Sequence, residues 1–185
     1  MNYLVLVNKN NKIPSNWSNQ IQLIDIKNLD GEIIKIEKET LEKYNELKKA
    51  ATKIGIEIGI NDAYRSIKEQ EKTYKQLEEE KGLEYTQLYV AAAGYSEHHT
   101  GLAIDIGLRQ NGQIIEENEE GTVKLQIYEK LHPLLADYGF ILRYPKEKEE
   151  ITGYKYEPWH IRYIHDIKKA HIIMDNNITL EEYLN

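Results

Sequence analysis

Two separated segments constrain the fold of this chain more than any other feature. Residues 96–105 read SEHHTGLAID, and residues 157–160 read EPWH. Together they supply imidazoles, an aspartate and glutamates, which include the inventory of a catalytic zinc site with three protein ligands and a carboxylate that handles protons. Because the segments are far apart along the chain, a fold that uses them has to bring them to one point.

The sequence of the first segment predicts a turn followed by a strand. Gly101 permits backbone geometry that a Cβ would obstruct, so the chain can turn between the histidines and Asp105. Side chains alternate across a strand, so Asp105 lies on the opposite face from Ile104 and Ile106. We therefore expect the isoleucines to enter the core and the carboxylate to point into a cleft.

The second segment adds an imidazole and a spare carboxylate. Pro158 disfavours a continuous helix between Glu157 and His160, so both residues are expected on a loop that leads into a strand. A glutamate that lies beside a metal without ligating it can take a proton from water and deliver it to a leaving amine, and we assign this role to Glu157. From these residues alone, His98 and His99 are competing candidates for the other imidazole ligand.

Composition narrows the class of protein. The 185 residues are 41% hydrophobic and 30% charged, and their net charge of −7 argues against a nucleic-acid-binding protein. Cysteine is absent, so any transition metal has to be held by histidine and carboxylate. The sequence shows no apolar stretch near the ~20 residues of a membrane span and no secretory leader, which predicts a cytoplasmic protein without a membrane anchor.

The hydrophobic pattern predicts an α+β fold, with helices packed on a small, mostly antiparallel sheet. The expected strands are 3–7, 22–26, 32–36, 56–60, 103–106, 140–143 and 160–163, of which the second and third form a peripheral hairpin. The expected helices begin near Thr40, at Ile67, near Ile127, near Asp166 and at Leu180. We predict one domain over 1–185, with a peripheral region of about 1–38 and a catalytic core of about 39–185.

Several segments together resemble the zinc D,D-carboxypeptidases of the VanY type and the related bifunctional VanXY enzymes. The resemblance is carried by residues 63–66 with 69–70, 96–108, 138–145, 149–163 and 179–183. These segments occur in the family's order and span most of the chain after about Asp62.

The resemblance implies a Zn²⁺ held by His98, Asp105 and His160, with Glu157 as general base and acid. It favours His98 over His99, which we expect to be a supporting or surface group. Arg65 corresponds to the arginine that stabilises the oxyanion, a role that suits a permanent cation with planar donors. Ser96 and Gln70 match positions that bind the substrate. His132, His165 and His171 are expected to be structural or exposed.

The implied activity is hydrolysis of the terminal D-Ala-D-Ala bond of peptidoglycan precursors by a D,D-carboxypeptidase, and in the VanXY-like branch also of the free D-Ala-D-Ala dipeptide. The substrate is a small peptide that ends in D-Ala. Three alternatives stay open: an L,D-carboxypeptidase of the LdcB type, a phage-type peptidase that cuts L-Ala-D-Glu, and a non-catalytic module that binds peptidoglycan stems. Residues 110–121 are polar and acidic, and we interpret them as a solvated loop, with a substrate lid as the sharper hypothesis.

Overall fold

A computed structural model describes residues 1–115 and 122–185 of the chain. The strands are β1 (Leu23–Lys27), β2 (Ile33–Glu37), β3 (Glu57–Asp62), β4 (Ala103–Gln110), β5 (Gln113–Ile114), β6 (Phe140–Leu142) and β7 (His160–Tyr163). The helices are α1 (Lys38–Lys53), α2 (Ile67–Lys81), α3 (Leu83–Tyr89), α4 (Thr122–Leu131), α5 (Glu149–Thr152), α6 (Ile167–Asp175) and α7 (Leu180–Leu184). Short 3-10 helices lie at Trp17–Asn19, Glu97–Thr100, His132–Leu134 and Ala136–Tyr138.

The main sheet has five strands and carries the site. Its order is β3-β4-β7-β6, β5 pairs with the far end of β4, and every one of these pairs is antiparallel. Strands β1 and β2 form a separate antiparallel hairpin. This architecture confirms the α+β fold with a small antiparallel sheet.

Helix α1 covers one face of the sheet through the apolar stripe that the sequence predicts. Tyr44, Leu47 and Ala51 are buried on it, and they pack with sheet residues such as Ile104 in one core. The hairpin contributes to the same core, because Ile36 of β2 is fully buried. Val7 and Trp17 are also buried there, so the region 1–38 supplies core residues, while its predicted division from 39–185 stays a prediction.

Helix α2 begins where the sequence predicts because its first turn is capped twice. The Ser66 hydroxyl accepts a hydrogen bond from the backbone N–H of Glu69 at 3.2 Å, and the Glu69 carboxylate accepts one from the backbone N–H of Ser66 at 2.8 Å. This capping box fixes the end of the helix next to Arg65, which enters the site.

Two sequence-based expectations differ from the structure, and one helix was not expected. Residues 3–7 are not a strand: the carbonyl oxygens of Tyr3 and Val5 accept hydrogen bonds from Arg162 in place of a strand partner. The helix predicted over the apolar stripe from Ile127 to Tyr138 ends at Leu131 instead, and the chain continues as 3-10 turns, with Pro133 at the start of the first one. Helix α3 was not predicted, because its four large apolar side chains are exposed and form no buried stripe.

The segment 110–121 is only partly described. In the first half of this segment, β4 ends at Gln110 and the chain turns into β5, so the two strands form a β-hairpin. The second half, residues 116–121, which contains the carboxylates of the lid hypothesis, lies outside the described residues. Within the described ranges, no helix combines the length and the apolar character that crossing a membrane requires.

Candidate metal centre

Strand register brings Asp105 and His160 together. The two residues are direct partners in the antiparallel pair of β4 and β7, so their side chains leave the sheet on the same face. Ile104 and Ile106 point the other way and are buried in the core, as the alternation predicts. His160 is the first residue of β7 and follows the loop that contains Glu157, which confirms the expected loop-to-strand arrangement.

The 3-10 helix Glu97–Thr100 delivers His98 to the same face. The Ser96 hydroxyl caps this helix by accepting a hydrogen bond from the backbone N–H of His98 at 3.3 Å. Gly101 ends it with a φ of +71°, where a Cβ would lie 3.2 Å from the Cβ of Glu37. The turn that the sequence assigns to Gly101 is therefore present.

The three predicted ligands form one cluster. One ligand atom from each of His98, Asp105 and His160 lies within 4.8 Å of the other two. Nε2 of His98 is 3.4 Å from Oδ2 of Asp105, and Nδ1 of His160 is 3.0 Å from Oδ1 of Asp105. Nδ1 of His98 faces the carbonyl oxygen of Ala63 at 2.5 Å, which can only accept, so Nε2 of His98 keeps its lone pair for the cluster.

The cluster fits a divalent cation on its own chemistry. Oδ1 of Asp105 is buried and, among the described residues, makes no hydrogen bond of acceptable geometry, although Nδ1 of His160 lies 3.0 Å away. Burial acts to raise the pKa of Asp105, but the adjacent His98 and His160 outweigh it and hold that pKa well below its usual range. Burial acts to lower the pKa of His160, yet Asp105 and Glu97 raise it to about 10. The surroundings thus favour positive charge at the point where two imidazoles and a carboxylate converge.

Glu157 lies beside this cluster and outside it. Its Oε2 is 3.7 Å from Nδ1 of His160, and only 7% of the residue is exposed. Burial raises the pKa of Glu157 to about 8, even though His160 acts in the opposite direction. A carboxyl group in these surroundings exchanges a proton near neutral pH, as a general acid and base requires.

Arg65 borders the cluster and is held on two sides. Its Nε and Nη2 donate to the carboxylate of Asp62, with Nε at 3.1 Å, and its Nη1 donates to the amide oxygen of Gln70 at 2.9 Å. The amide nitrogen of Gln70 donates to the carbonyl oxygen of Ala91 at 2.7 Å. Gln70 therefore braces Arg65, and its predicted contact with substrate, which would use the remaining amide N–H, stays a prediction.

The structure also shows where Ser96 and the histidines that are not proposed as ligands lie. Ser96 is buried at the site, and within the described chain its hydroxyl accepts from His98 but donates to no acceptor. His99 is buried rather than at the surface: Nδ1 lies 2.6 Å from the carbonyl oxygen of Arg65, and Nε2 accepts from the backbone N–H of Gly94. His165 and His171 are exposed or half-exposed, and His132 contacts the carbonyl oxygen of Pro158.

Sequence reasoning missed a buried ionic network behind His160. Its members are Glu97, Arg143, Arg162 and Glu181. The side chains of Glu97 and both arginines are completely buried. The available signal was an arginine within each of two apolar strand segments, FILR and HIRY, where a lone cation requires a buried partner.

Two cavities meet at the cluster. A small one of about 210 Å³ is lined by Arg65, Gln70, Ser96, Tyr154 and the metal-cluster residues. A larger cleft of about 800 Å³ lies between the β1–β2 hairpin and α4. Both are lined by Asp105 and Trp159, so a ligand that crosses the cluster can occupy the two together.

Comparison with known proteins gives one consistent set of relatives. The sequence profile of the VanY family, described as D-alanyl-D-alanine carboxypeptidase, matches residues 33–166. The bifunctional D-Ala-D-Ala dipeptidase and D-Ala-D-Ala carboxypeptidase VanXYC of Enterococcus gallinarum is 36% identical over 186 residues, which cover 99% of this chain and 94% of that protein.

Two solved structures extend the comparison. The vancomycin-resistance D,D-pentapeptidase VanY from a VanB-type cassette, solved as a variant in complex with Zn(II), has a TM-score of 0.83 at 31% identity and covers 100% of both chains. The LdcB LD-carboxypeptidase has a TM-score of 0.83 at 39% identity and covers 99% of this chain and 86% of that one.

Proposed function

The chain belongs to the VanY family of D-alanyl-D-alanine carboxypeptidases, and on that premise we propose that it hydrolyses the terminal D-Ala-D-Ala bond of peptidoglycan precursors with the help of zinc. The observation that carries this proposal is the convergence of His98, Asp105 and His160, with Glu157 alongside, where two cavities meet. The substrate class is a small peptide that ends in D-Ala.

The zinc would be held by Nε2 of His98, a carboxylate oxygen of Asp105 and Nδ1 of His160. When bound, it acts as a Lewis acid towards the scissile carbonyl and lowers the pKa of water towards neutrality. This donor set leaves a position open for water and substrate, as catalytic zinc sites with three protein ligands do.

Glu157 and Arg65 perform the proton and charge chemistry. Glu157 accepts the proton of the attacking water and later donates it to the nitrogen of the departing D-alanine, from its position beside the cluster, 3.7 Å from Nδ1 of His160. Arg65 presents its guanidinium to the carbonyl oxygen on which negative charge develops. Asp62 and Gln70 fix the plane of that guanidinium before substrate arrives, which lowers the reorganisation that the reaction demands.

The two cavities divide the substrate between them. The cavity of about 210 Å³ takes the departing D-alanine, whose carboxylate can accept a hydrogen bond from the Ser96 hydroxyl, which donates to no acceptor among the described residues. The cleft of about 800 Å³ takes the acyl side of the peptide. Because this cleft has room for several residues, we propose acylated peptides as the preferred substrates, with the free dipeptide as a poorer one.

One observation keeps a second candidate activity in view. LdcB, whose structure this chain matches at 39% identity, is an LD-carboxypeptidase. An activity of that type would use the same residues and remove D-alanine from an L-amino acid, because the stereochemistry depends on the shape of the pocket and not on the metal cluster.

The deciding experiment measures D-alanine release by the zinc-loaded protein from three substrates in parallel. These are an acyl-L-Lys-D-Ala-D-Ala peptide, free D-Ala-D-Ala and an acyl-L-Lys-D-Ala peptide. We expect the first to be cleaved fastest, a chelator to abolish release, and added zinc to restore it.

Other results would replace the proposal. Release confined to the acyl-L-Lys-D-Ala peptide would identify an L,D-carboxypeptidase of the LdcB type. Binding of zinc and peptide with no release from any substrate would identify a non-catalytic binding module.

A further inference from the structure

A completely buried carboxylate, Glu97, faces the back of the metal cluster. Its Oε1 accepts hydrogen bonds from Nε of Arg143 and Nη1 of Arg162, each at 2.7 Å. Its Oε2 lies 3.4 Å from Nε2 of His160, on the side of the imidazole that points away from Asp105. The reaction proposed above assigns nothing to Glu97, although burying a carboxylate is costly unless it is paired.

The charge of Glu97 is balanced without His160. Arg143 also donates to both oxygens of Glu181, at 2.8 and 2.6 Å, and Nη2 of Arg162 donates to the carbonyl oxygens of Tyr3 and Val5, each at 3.0 Å. Two carboxylates and two guanidinium groups cancel. The contact between Glu97 and His160 is therefore not needed to neutralise the network. Its effect is to orient the imidazole of His160 through one hydrogen bond.

The direction of that contact determines which nitrogen of His160 carries hydrogen. Guanidinium groups only donate, so Oε1 of Glu97 is committed to them and Oε2 is left to accept from Nε2–H of His160. Nδ1, which faces Asp105 at 3.0 Å and Glu157 at 3.7 Å, then presents its lone pair to the cluster. We infer that Glu97 is a positioning residue, which holds His160 in the Nε2–H tautomer and thereby sets the affinity of the site for zinc.

This inference rests on the zinc site of the proposed function, and it is specific to one ligand. The tautomer of His98 is fixed by the backbone carbonyl of Ala63, which no substitution at that position removes. The tautomer of His160 is fixed by a side chain, so it can be changed by mutation with the ligand itself left intact.

The test is Glu97→Gln, with Glu181→Gln as the matched control. In the first variant the amide oxygen stays with the arginines, so the amide NH₂ faces Nε2 of His160 and forces that nitrogen to accept. The ring hydrogen then moves to Nδ1 and blocks ligation. We expect the zinc dissociation constant to rise about 10- to 100-fold, measured by competition with a chelator of known affinity.

The control removes the same charge from the same network and leaves the Glu97–His160 contact in place. We expect it to keep the zinc affinity of the wild type, even where thermal unfolding shows a similar loss of stability. Equal weakening in both variants would show that the network acts through charge or folding and would overturn the inference, as would an unchanged affinity in Glu97→Gln.

A second measurement holds even if Glu97→Gln does not fold. Long-range ¹H–¹⁵N NMR of the zinc-loaded wild type reports the tautomer of each histidine, and hydrogen on Nδ1 of His160 would overturn the inference. A wild type that binds no zinc would overturn both this inference and the proposed function. Tight zinc binding with the expected tautomer but no D-alanine release would contradict the proposed function alone.

Discussion

Substitution of Glu157 separates two roles that a carboxylate in this site can have, zinc ligation and proton transfer. It lies outside the cluster of three ligand atoms, so Glu157→Gln should leave the zinc dissociation constant unchanged. The amide cannot accept the proton of the attacking water, and we expect kcat for D-alanine release to fall about 10²-fold or more. Zinc competition and steady-state kinetics measure the two effects. Glu129→Gln, an exposed glutamate on α4, is the control, and loss of zinc together with turnover would make Glu157 a ligand instead.

The role of Arg65 depends on its planar guanidinium and not only on its positive charge. Its guanidinium bonds Asp62 and Gln70 at the same time, which a lysine ammonium cannot do in the same geometry. We expect Arg65→Lys to lower kcat for D-alanine release by about 10²- to 10³-fold while zinc binding is retained. Arg109→Lys, at the distant side of β4, controls for the exchange itself. Near-normal turnover in Arg65→Lys would reduce Arg65 to a structural role.

At this scale, sequence reasoning found the residues that carry a motif and missed those that support them. Asp105, His160 and one of the adjacent histidines 98 and 99 could be selected because their types match a known donor set, and the resemblance to the VanY type then favoured His98. Glu97 stands beside His98 in the same motif, yet its burial depends on arginines 46 and 65 positions away. Such a partnership is a property of the folded chain and has no local signature.

Among the elements, strands and helices with a clear period were predicted well. Helix α2 begins at Ile67 and strand β7 begins at His160, as predicted. The N-terminal segment was misjudged because an apolar run indicates burial, not pairing. Val5 and Val7 are buried, but the carbonyl oxygens of Tyr3 and Val5 accept hydrogen bonds from Arg162, whose position the local sequence does not show.

The turn of the β1–β2 hairpin is attached to the main sheet through two glycines. Gly59 and Gly107 face each other in β3 and β4, and the Leu29 side chain occupies the space where a Cβ of either residue would lie. We expect Gly59→Ala to displace Leu29 and to lower the free energy of unfolding by about 1–3 kcal/mol, measured by chemical denaturation.

A double-mutant cycle with Leu29→Ala tests this cause. If the clash is responsible, Gly59→Ala should cost much less stability when Leu29 is already alanine. The same cost in both backgrounds would show that Gly59 is needed for its own backbone conformation and not for the packing of the hairpin.

Across the whole molecule, both ends of the chain converge behind the site. The carbonyl oxygens of Tyr3 and Val5 bind Arg162, and Glu181 in the last helix binds Arg143, so the two arginines connect the termini to Glu97. Asn8 also donates to Glu181 at 2.9 Å. The sequence predicted one α+β unit but offered no indication of this closure, because it depends on contacts between residues more than 150 positions apart.

A second set of contacts between distant parts of the chain, centred on Glu39 of α1, should make the free energy of unfolding depend on pH. The carboxylate accepts from the hydroxyl groups of Tyr3 and Tyr163 and contacts Nδ1 of His165 at 2.6 Å. Burial acts to raise the pKa of Glu39, but these hydrogen bonds outweigh it and lower that pKa below its usual value. A depressed folded pKa contributes stability above about pH 4.5, and this contribution disappears as the pH falls through the folded value.

We expect Glu39→Gln to lower the free energy of unfolding by about 1–2 kcal/mol at pH 7, allowing for partial solvent screening, and by progressively less below pH 4.5. Chemical denaturation across this range measures the difference, with exposed Glu42→Gln as control. A difference that stays constant with pH would attribute the effect to packing and not to the charge of Glu39.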